Sequence, residues 1–212
     1  MIPRVKICGI TSLDDAMAAC DAGADALGFN FAEEAKPKGR YIDPDDAARI
    51  IAQLPPFVTT VAITVNETVE RLREFLDVVQ IVQLCGEETV ETVNAVGDRA
   101  IRALRLGPGL ALNQAVEGRR VRAFLLDAYV AGQRGGAGNV CDWGRARAFV
   151  AAGHRVILAG GLTPDNVADA VRAVSPYAVD VAGGVEESGG KKDHGKLRRF
   201  IRNARSALPV SG

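Results

Sequence analysis

Two residues in this chain stand where proton chemistry is easily done. Cys8 ends an apolar, strand-like run, Val5-Lys6-Ile7-Cys8, that breaks at Gly9. Asp127 ends another, Phe124-Leu125-Leu126. A carboxylate placed there costs stability if it is buried, so it needs a reason. A thiolate and a carboxylic acid across one cavity suit proton abstraction at a carbon and protonation at an oxygen. Each residue also has a plain alternative. Free cysteine often serves as a small buried hydrophobe, and a strand-end aspartate can be a cap or half of an ion pair.

Two glycine pairs come next. Gly160-Gly161 follows one late apolar run, and Gly183-Gly184, preceded by Ala182, follows the last. Glycine lets backbone N–H groups approach phosphate oxygens with no Cβ in the way. Arg40 lies at the end of a polar, basic loop, Ala32 to Arg40, and its planar fork matches a carboxylate. Gly135-Gly136-Ala137-Gly138 reads as a mobile loop able to cover a substrate.

These residues need elements to position them. Apolar runs at residues 5–8, 26–31, 58–65, 79–84, 100–106, 122–126, 155–158 and 178–181 read as strands. Helical patterns separate them. Thr11 or Ser12 caps the first, Asp43-Pro44 starts the second, and Asn66 caps the third. A weakly patterned stretch from Gly107 to Glu117 holds a short helix, Asp142-Trp143 opens another, and Thr163 caps the next. The last, basic helix runs from Gly195 to about Ala207, with its charged face toward solvent. Alternating strands and helices imply a parallel sheet, and eight such units imply a closed barrel. The expected fold is therefore an α/β single-domain (β/α)8 TIM barrel over residues 1–212. In such barrels the strand ends face the active site, and the loops after strands seven and eight often hold phosphate. Cys8, Asp127 and both glycine pairs fall at such ends.

Composition narrows the class further. Lysine plus arginine and aspartate plus glutamate each number 26, so no basic footprint for nucleic acid or an anionic membrane is present. No apolar run reaches the roughly 20 residues of a membrane span. The start, Met1-Ile2-Pro3-Arg4, has no signal-peptide pattern, so a soluble cytoplasmic protein is expected. The four cysteines, at 8, 20, 85 and 141, lack metal-ligand spacing, and disulfides are not expected in that compartment. With only two histidines, His154 and His194, a histidine-centred metal site has little material, and no metal is expected.

The ordered set of Val5 to Thr11, Gly23-Ala24-Asp25-Ala26, Val79 to Gly86, Leu125-Leu126-Asp127, Leu158 to Leu162 and Val179 to Glu186 with Gly190-Lys191-Lys192-Asp193 resembles the phosphoribosylanthranilate isomerases of tryptophan biosynthesis. The likeness covers essentially the whole chain. It implies a TIM barrel without a cofactor that rearranges N-(5-phosphoribosyl)anthranilate to 1-(2-carboxyphenylamino)-1-deoxyribulose 5-phosphate. It also implies Asp127 as general acid, Cys8 as general base and Arg40 as the holder of the anthranilate carboxylate. Gly160, Gly161, Ala182, Gly183 and Gly184 would form the phosphate site. The partner is a small phosphorylated substrate, and the chain would be a monomer or homodimer. Cys85 stands where that family usually has histidine, and Ala182-Gly183 where it usually has two serines. The rival readings are a histidine-pathway phosphosugar isomerase, which uses two aspartates, and a silent barrel that only binds a phosphorylated ligand.

Overall fold

The computed structural model describes residues 2–107, 110–128 and 141–207. Eight strands run in chain order: β1 (Arg4–Cys8), β2 (Ala26–Asn30), β3 (Thr59–Thr64), β4 (Ile81–Leu84), β5 (Ala100–Leu106), β6 (Ala123–Ala128), β7 (Val156–Leu158) and β8 (Ala178–Val181). Each pairs in parallel with the next, and β8 pairs back onto β1, with Lys6 opposite Asp180 and Ile7 opposite Val181. The expected (β/α)8 barrel is what forms.

The helices are α1 (Leu13–Asp21), α2 (Pro44–Ile51), α3 (Val69–Val78), α4 (Val90–Val96), α5 (Leu112–Val116), α6 (Trp143–Ala151), α7 (Val167–Val174) and α8 (His194–Ser206). Ser12, Asp43, Thr68, Thr89, Asp142 and Asp193 each cap one, their side chains accepting from an N–H in the first turn. Four expectations change. Asn66 does not cap α3; Thr68 does, and Asn66 takes a left-handed conformation and accepts from the Glu87 N–H at 2.6 Å. Thr163 does not cap α7 directly. It builds the preceding turn, where Asn166 Oδ1 accepts from its N–H, and Asn166 holds the cap position. The basic loop after β2 is partly ordered as a 3₁₀ turn, Glu33–Lys38. The charged face of α8 is not simply solvated: Lys196 donates to the Glu186 carbonyl and Arg205 to that of Gly23. A small antiparallel hairpin, β9 (Glu186–Ser188) and β10 (Lys191–Lys192), follows β8 and was not expected. The loop expectation at Gly135-Gly136-Ala137-Gly138 lies outside the described residues.

Side chains on a strand alternate between faces. One set, including Val5, Ile7, Leu27, Val179 and Val181, packs outward against the helices in the larger core. The other fills the barrel, with Val61, Ile81, Ile101, Ala123, Leu125, Ile157, Ala159 and Ala178 in one apolar cluster. The same alternation turns Lys6, Cys8, Asp127 and Asp180 inward, above or beside that hydrocarbon. Gly28 on β2 makes room for them. A Cβ there would lie 3.0 Å from Cys8 Sγ, 3.0 Å from Ile63 Cδ1 and 3.1 Å from Lys6 Nζ.

Gly28→Val should therefore overpack the barrel. We expect a loss of about 1–3 kcal/mol, seen as a lower urea midpoint at constant slope. An unchanged midpoint would show that the interior around Cys8 has slack.

Candidate active site

A cavity opens at the C-terminal end of the barrel. Its wall carries Cys8, Arg40, Gln83, Cys85, Asp127 and Asp180, among others. The alternation within each strand explains the grouping, since all but Arg40 project from strand ends into one space.

Cys8 is partly exposed in that cavity, and all four cysteines are free thiols. Burial pushes its thiol above the ordinary value, while the ammonium of Lys6 opposes that shift and the Asp180 carboxylate reinforces it. Lys192 adds a second opposing cation. Lys6 is itself buried and donates to Asp180 Oδ1 at 2.7 Å. Burial alone would lower the lysine, but Asp180 and Cys8 hold it well above its ordinary range. Cys85, across the cavity, differs. Burial pushes it to about 12, and it accepts from Gln83 Nε2 at 3.3 Å. Thiolate is the reactive form, and Lys6 and Lys192 both favour it at Cys8; Lys6 acts on Cys85 as well, against the Cys8 and Glu88 charges.

Asp127 Oδ1 accepts from the Ala128 N–H at 2.8 Å. Even so, burial lifts its pKa from 3.8 to about 6, and Asp180 adds to the rise against Arg105 and Lys38. Gly160, in the left-handed region at φ +84°, leaves space beside it; a Cβ there would lie 2.8 Å from Asp127 Oδ1 and 2.4 Å from the Ala128 nitrogen.

Arg40 reaches the cavity wall but is already forked onto a protein carboxylate. Its Nε and Nη2 donate to Glu186 Oε1 and Oε2 at 2.9 and 2.8 Å. The buried Lys192 donates to Glu186 Oε1 at 2.8 Å. Asp15 on α1 accepts from the Lys192 backbone N–H at 3.2 Å, and His194 Nε2 lies 2.8 Å from its other oxygen. The guanidinium is thus set in place by a chain of charged contacts from α1 through the hairpin. Arginine has five N–H donors, so the fork leaves donors for a second carboxylate.

An adjoining cavity is lined by Ala159 to Thr163 and Val181 to Gly184, and it shares Asp127, Asp180 and Ala182 with the first. Among the described residues no lysine or arginine lines it, so an anion there would meet backbone N–H groups, with Arg40 Nη2 close by, 2.8 Å from where a Cβ on Gly183 would fall. Gly184 is needed for the two loops to meet: a Cβ on it would fall 1.9 Å from the Leu162 carbonyl oxygen.

The structure therefore brings Cys8, Asp127, Arg40 and Ala182 to one cavity and Gly160, Gly161, Gly183 and Gly184 to its neighbour. Sequence reasoning missed Lys6, Asp180, Glu186 and Lys192. For the first two a signal existed: each lies two residues from an inward position on its strand. Glu186 and Lys192 had none, because the hairpin is short and polar.

A family model described as N-(5′-phosphoribosyl)anthranilate (PRA) isomerase matches residues 5–203. A relative from Pelobacter propionicus named N-(5′-phosphoribosyl)anthranilate isomerase is 50% identical over 210 residues, covering 98% of this chain and 98% of its own. A solved phosphoribosyl anthranilate isomerase in complex with reduced 1-(o-carboxyphenylamino)-1-deoxyribulose 5-phosphate superposes with TM-score 0.80 at 38% identity, over 95% of this chain and 98% of that one. Monomers generated from the dimeric isomerase of Thermotoga maritima give TM-score 0.80 at 36% identity, over 95% and 98%.

Asp127 makes stability depend on pH. Its folded pKa of about 6 lies above the ordinary 3.8, so the folded state holds that proton more tightly. The contribution is fully present below the lower value and is lost as pH rises through the higher one, a swing of up to about 3 kcal/mol. Asp127→Asn removes the swing. The melting temperature of the variant, relative to the parent, should rise between pH 4 and pH 8. A constant difference would show that the site does not hold Asp127 as an acid.

Proposed function

The chain belongs to the N-(5′-phosphoribosyl)anthranilate isomerase family, and from that premise we propose which residues carry its reaction. The protein catalyses the Amadori rearrangement of N-(5-phosphoribosyl)anthranilate to 1-(2-carboxyphenylamino)-1-deoxyribulose 5-phosphate in tryptophan biosynthesis. The observation that carries the assignment is the shared cavity, with a thiol flanked by cations on one strand end and a carboxyl of raised pKa on another.

Asp127 is the general acid. It gives its proton to the ribose ring oxygen as the bond from that oxygen to the anomeric carbon breaks, and the anthranilate nitrogen lone pair closes the Schiff base. Cys8, as thiolate, is the general base that takes the proton from C2. The C2–H electrons become the enolamine double bond, and the imine nitrogen recovers its lone pair. The enolamine then tautomerises to the ketone. Only protons move, so no cofactor is required. Arg40 takes the anthranilate carboxylate on donors outside its fork with Glu186. Gly160, Gly161, Ala182, Gly183 and Gly184 hold the phosphate by backbone N–H groups, which suits a pocket with no serine or lysine among its described lining residues.

In the free protein the two groups share one proton between pH 6 and the Cys8 value. Thiol with carboxylate is the major arrangement. Thiolate with carboxylic acid, the productive one, carries the same number of protons. Its fraction is therefore constant across that range, and kcat/KM should be flat there and fall below about pH 6.

We place the protein in the cytoplasm with its pathway. Free cysteines support this, and among the described residues no helix is long and apolar enough to cross a membrane. The Thermotoga relative, described as dimeric and also obtained as monomers, spans both assembly states expected from the sequence.

Turnover of phosphoribosylanthranilate by the purified protein, followed by loss of anthranilate-type fluorescence, tests the reading directly. Cys8→Ala and Asp127→Asn should each lower kcat by at least about 10²-fold, and the two losses should combine to less than their product. Cys85→Ala should stay near the parent. Loss of turnover in Cys85→Ala with retention in Cys8→Ala would reverse the choice of cysteine.

Arg40→Ala should weaken binding of the substrate by roughly 2–5 kcal/mol, the cost of truncating a buried charge pair. A ligand lacking the ring carboxylate should be insensitive. Equal losses for both ligands would remove Arg40 from the carboxylate role.

A further inference from the structure

Lys6 and Asp180 form a buried ion pair inside the barrel, beside Cys8 and above the apolar cluster. Their strands are the ones that close the barrel, and the two residues are direct register partners. The pair is oriented. Its ammonium converges with Cys8 Sγ on the space above Gly28, with 3.1 and 3.0 Å left to a Cβ built there. Its carboxylate lines both cavities in company with Asp127. A buried pair with one partner removed is costly, and a buried pair is no strong source of stability in itself. Its retention here asks for another reason.

We propose that the Lys6–Asp180 pair is a fixed dipole between the base and the acid, and that its direction favours the arrangement with Cys8 ionised and Asp127 protonated. The proposal rests on the acid and base assignments made above. Positive charge beside the thiol stabilises thiolate, and negative charge facing Asp127 stabilises its protonated form. Because the two groups share one proton, both ends of the dipole move that proton from Cys8 toward Asp127. Lys6 and Asp180 are positioning residues that act through the two groups beside them.

Other charges face the same two groups. Around Cys8 stand Lys192 from the hairpin, Arg40 and the neutral Cys85 thiol. Around Asp127 stand Arg105, Lys38 and the Cys141 thiol. The cations near Asp127 oppose its protonation, so Asp180 is the carboxylate that works against them. Near Cys8, Lys6 outweighs Asp180.

The test is Lys6→Gln combined with Asp180→Asn, which leaves a neutral, hydrogen-bonding pair of similar shape. Two profiles are measured against pH. One is alkylation by iodoacetamide, assigned to Cys8 by peptide mass spectrometry. The other is kcat/KM for phosphoribosylanthranilate. With the dipole gone, Cys8 should need a higher pH to react and Asp127 should lose its proton at a lower one. The flat region of kcat/KM should then widen at both edges, and its height should fall about tenfold for each pH unit of widening. A merely structural pair would lower the height without moving the edges. A folded double variant with an unmoved or lowered Cys8 profile overturns the proposal. If the double variant does not fold, Asp180→Asn alone should lower both edges together, and a Cys8 profile that stays in place overturns it. Turnover by Cys8→Ala would instead sink the base assignment, while the Cys8 profile of the double variant still reports on the dipole.

Discussion

Closing eight parallel strands on themselves is the constraint on which everything else here depends. It forces every second side chain of each strand into one narrow interior. Below, that interior is filled by valine, isoleucine, leucine and alanine. Above, hydrocarbon filling would leave no place for a substrate. Lys6, Cys8, Asp127 and Asp180 occupy those levels, and Gly28 gives up its side chain so that three others can meet. The chemistry is placed by the same period-two alternation that builds the core.

Burial then sets a problem that the site must solve. Desolvation raises the pKa of both a thiol and a carboxyl. For the acid proposed at Asp127 this helps, because an acid must hold its proton. For the base proposed at Cys8 it hinders, because a base must not. One environment cannot serve both needs by burial alone, so charge has to distinguish the two ends of the cavity. Cys85 shares the cavity and the desolvation: burial pushes its thiol to about 12, against a hydrogen bond from the amide of Gln83.

The strands, their order and the ends of most helices were legible in the sequence, because apolar runs bounded by glycine and capping residues are local signals. Cys8, Asp127 and the glycine pairs were legible for the same reason: each follows an apolar run. Arg40 was legible as a fork but not in its engagement, since its partner Glu186 lies 146 residues away. The Lys6–Asp180 contact spans 174 residues and exists only once the barrel closes. The β9–β10 hairpin escaped notice because its strands are too short and polar to show a period. Asn66 and Thr163 were misplaced by similar ambiguity, because a residue able to cap a helix can equally brace the turn before it.

The hairpin also shows why a carboxylate-binding arginine would be tied to a carboxylate of the protein. A guanidinium on a loop has many rotamers, and ordering it only when substrate arrives would cost binding energy. Glu186 fixes its plane through two parallel bonds; burial pushes that glutamate up, but Arg40 and Lys192 outweigh it and keep the carboxylate below its ordinary pKa. Lys192 is in turn lowered by burial, so its charge depends on Glu186 staying negative. Arg40 and Lys192 around one carboxylate leave a net positive charge of one at the cavity wall. Cys8 lies near enough to feel that charge. A substrate carboxylate that settles on Arg40 cancels the surplus and weakens the field that favours thiolate. The ammonium of Lys6, held on its strand by Asp180 rather than by Arg40 or Glu186, would keep its effect on Cys8 after that carboxylate has bound.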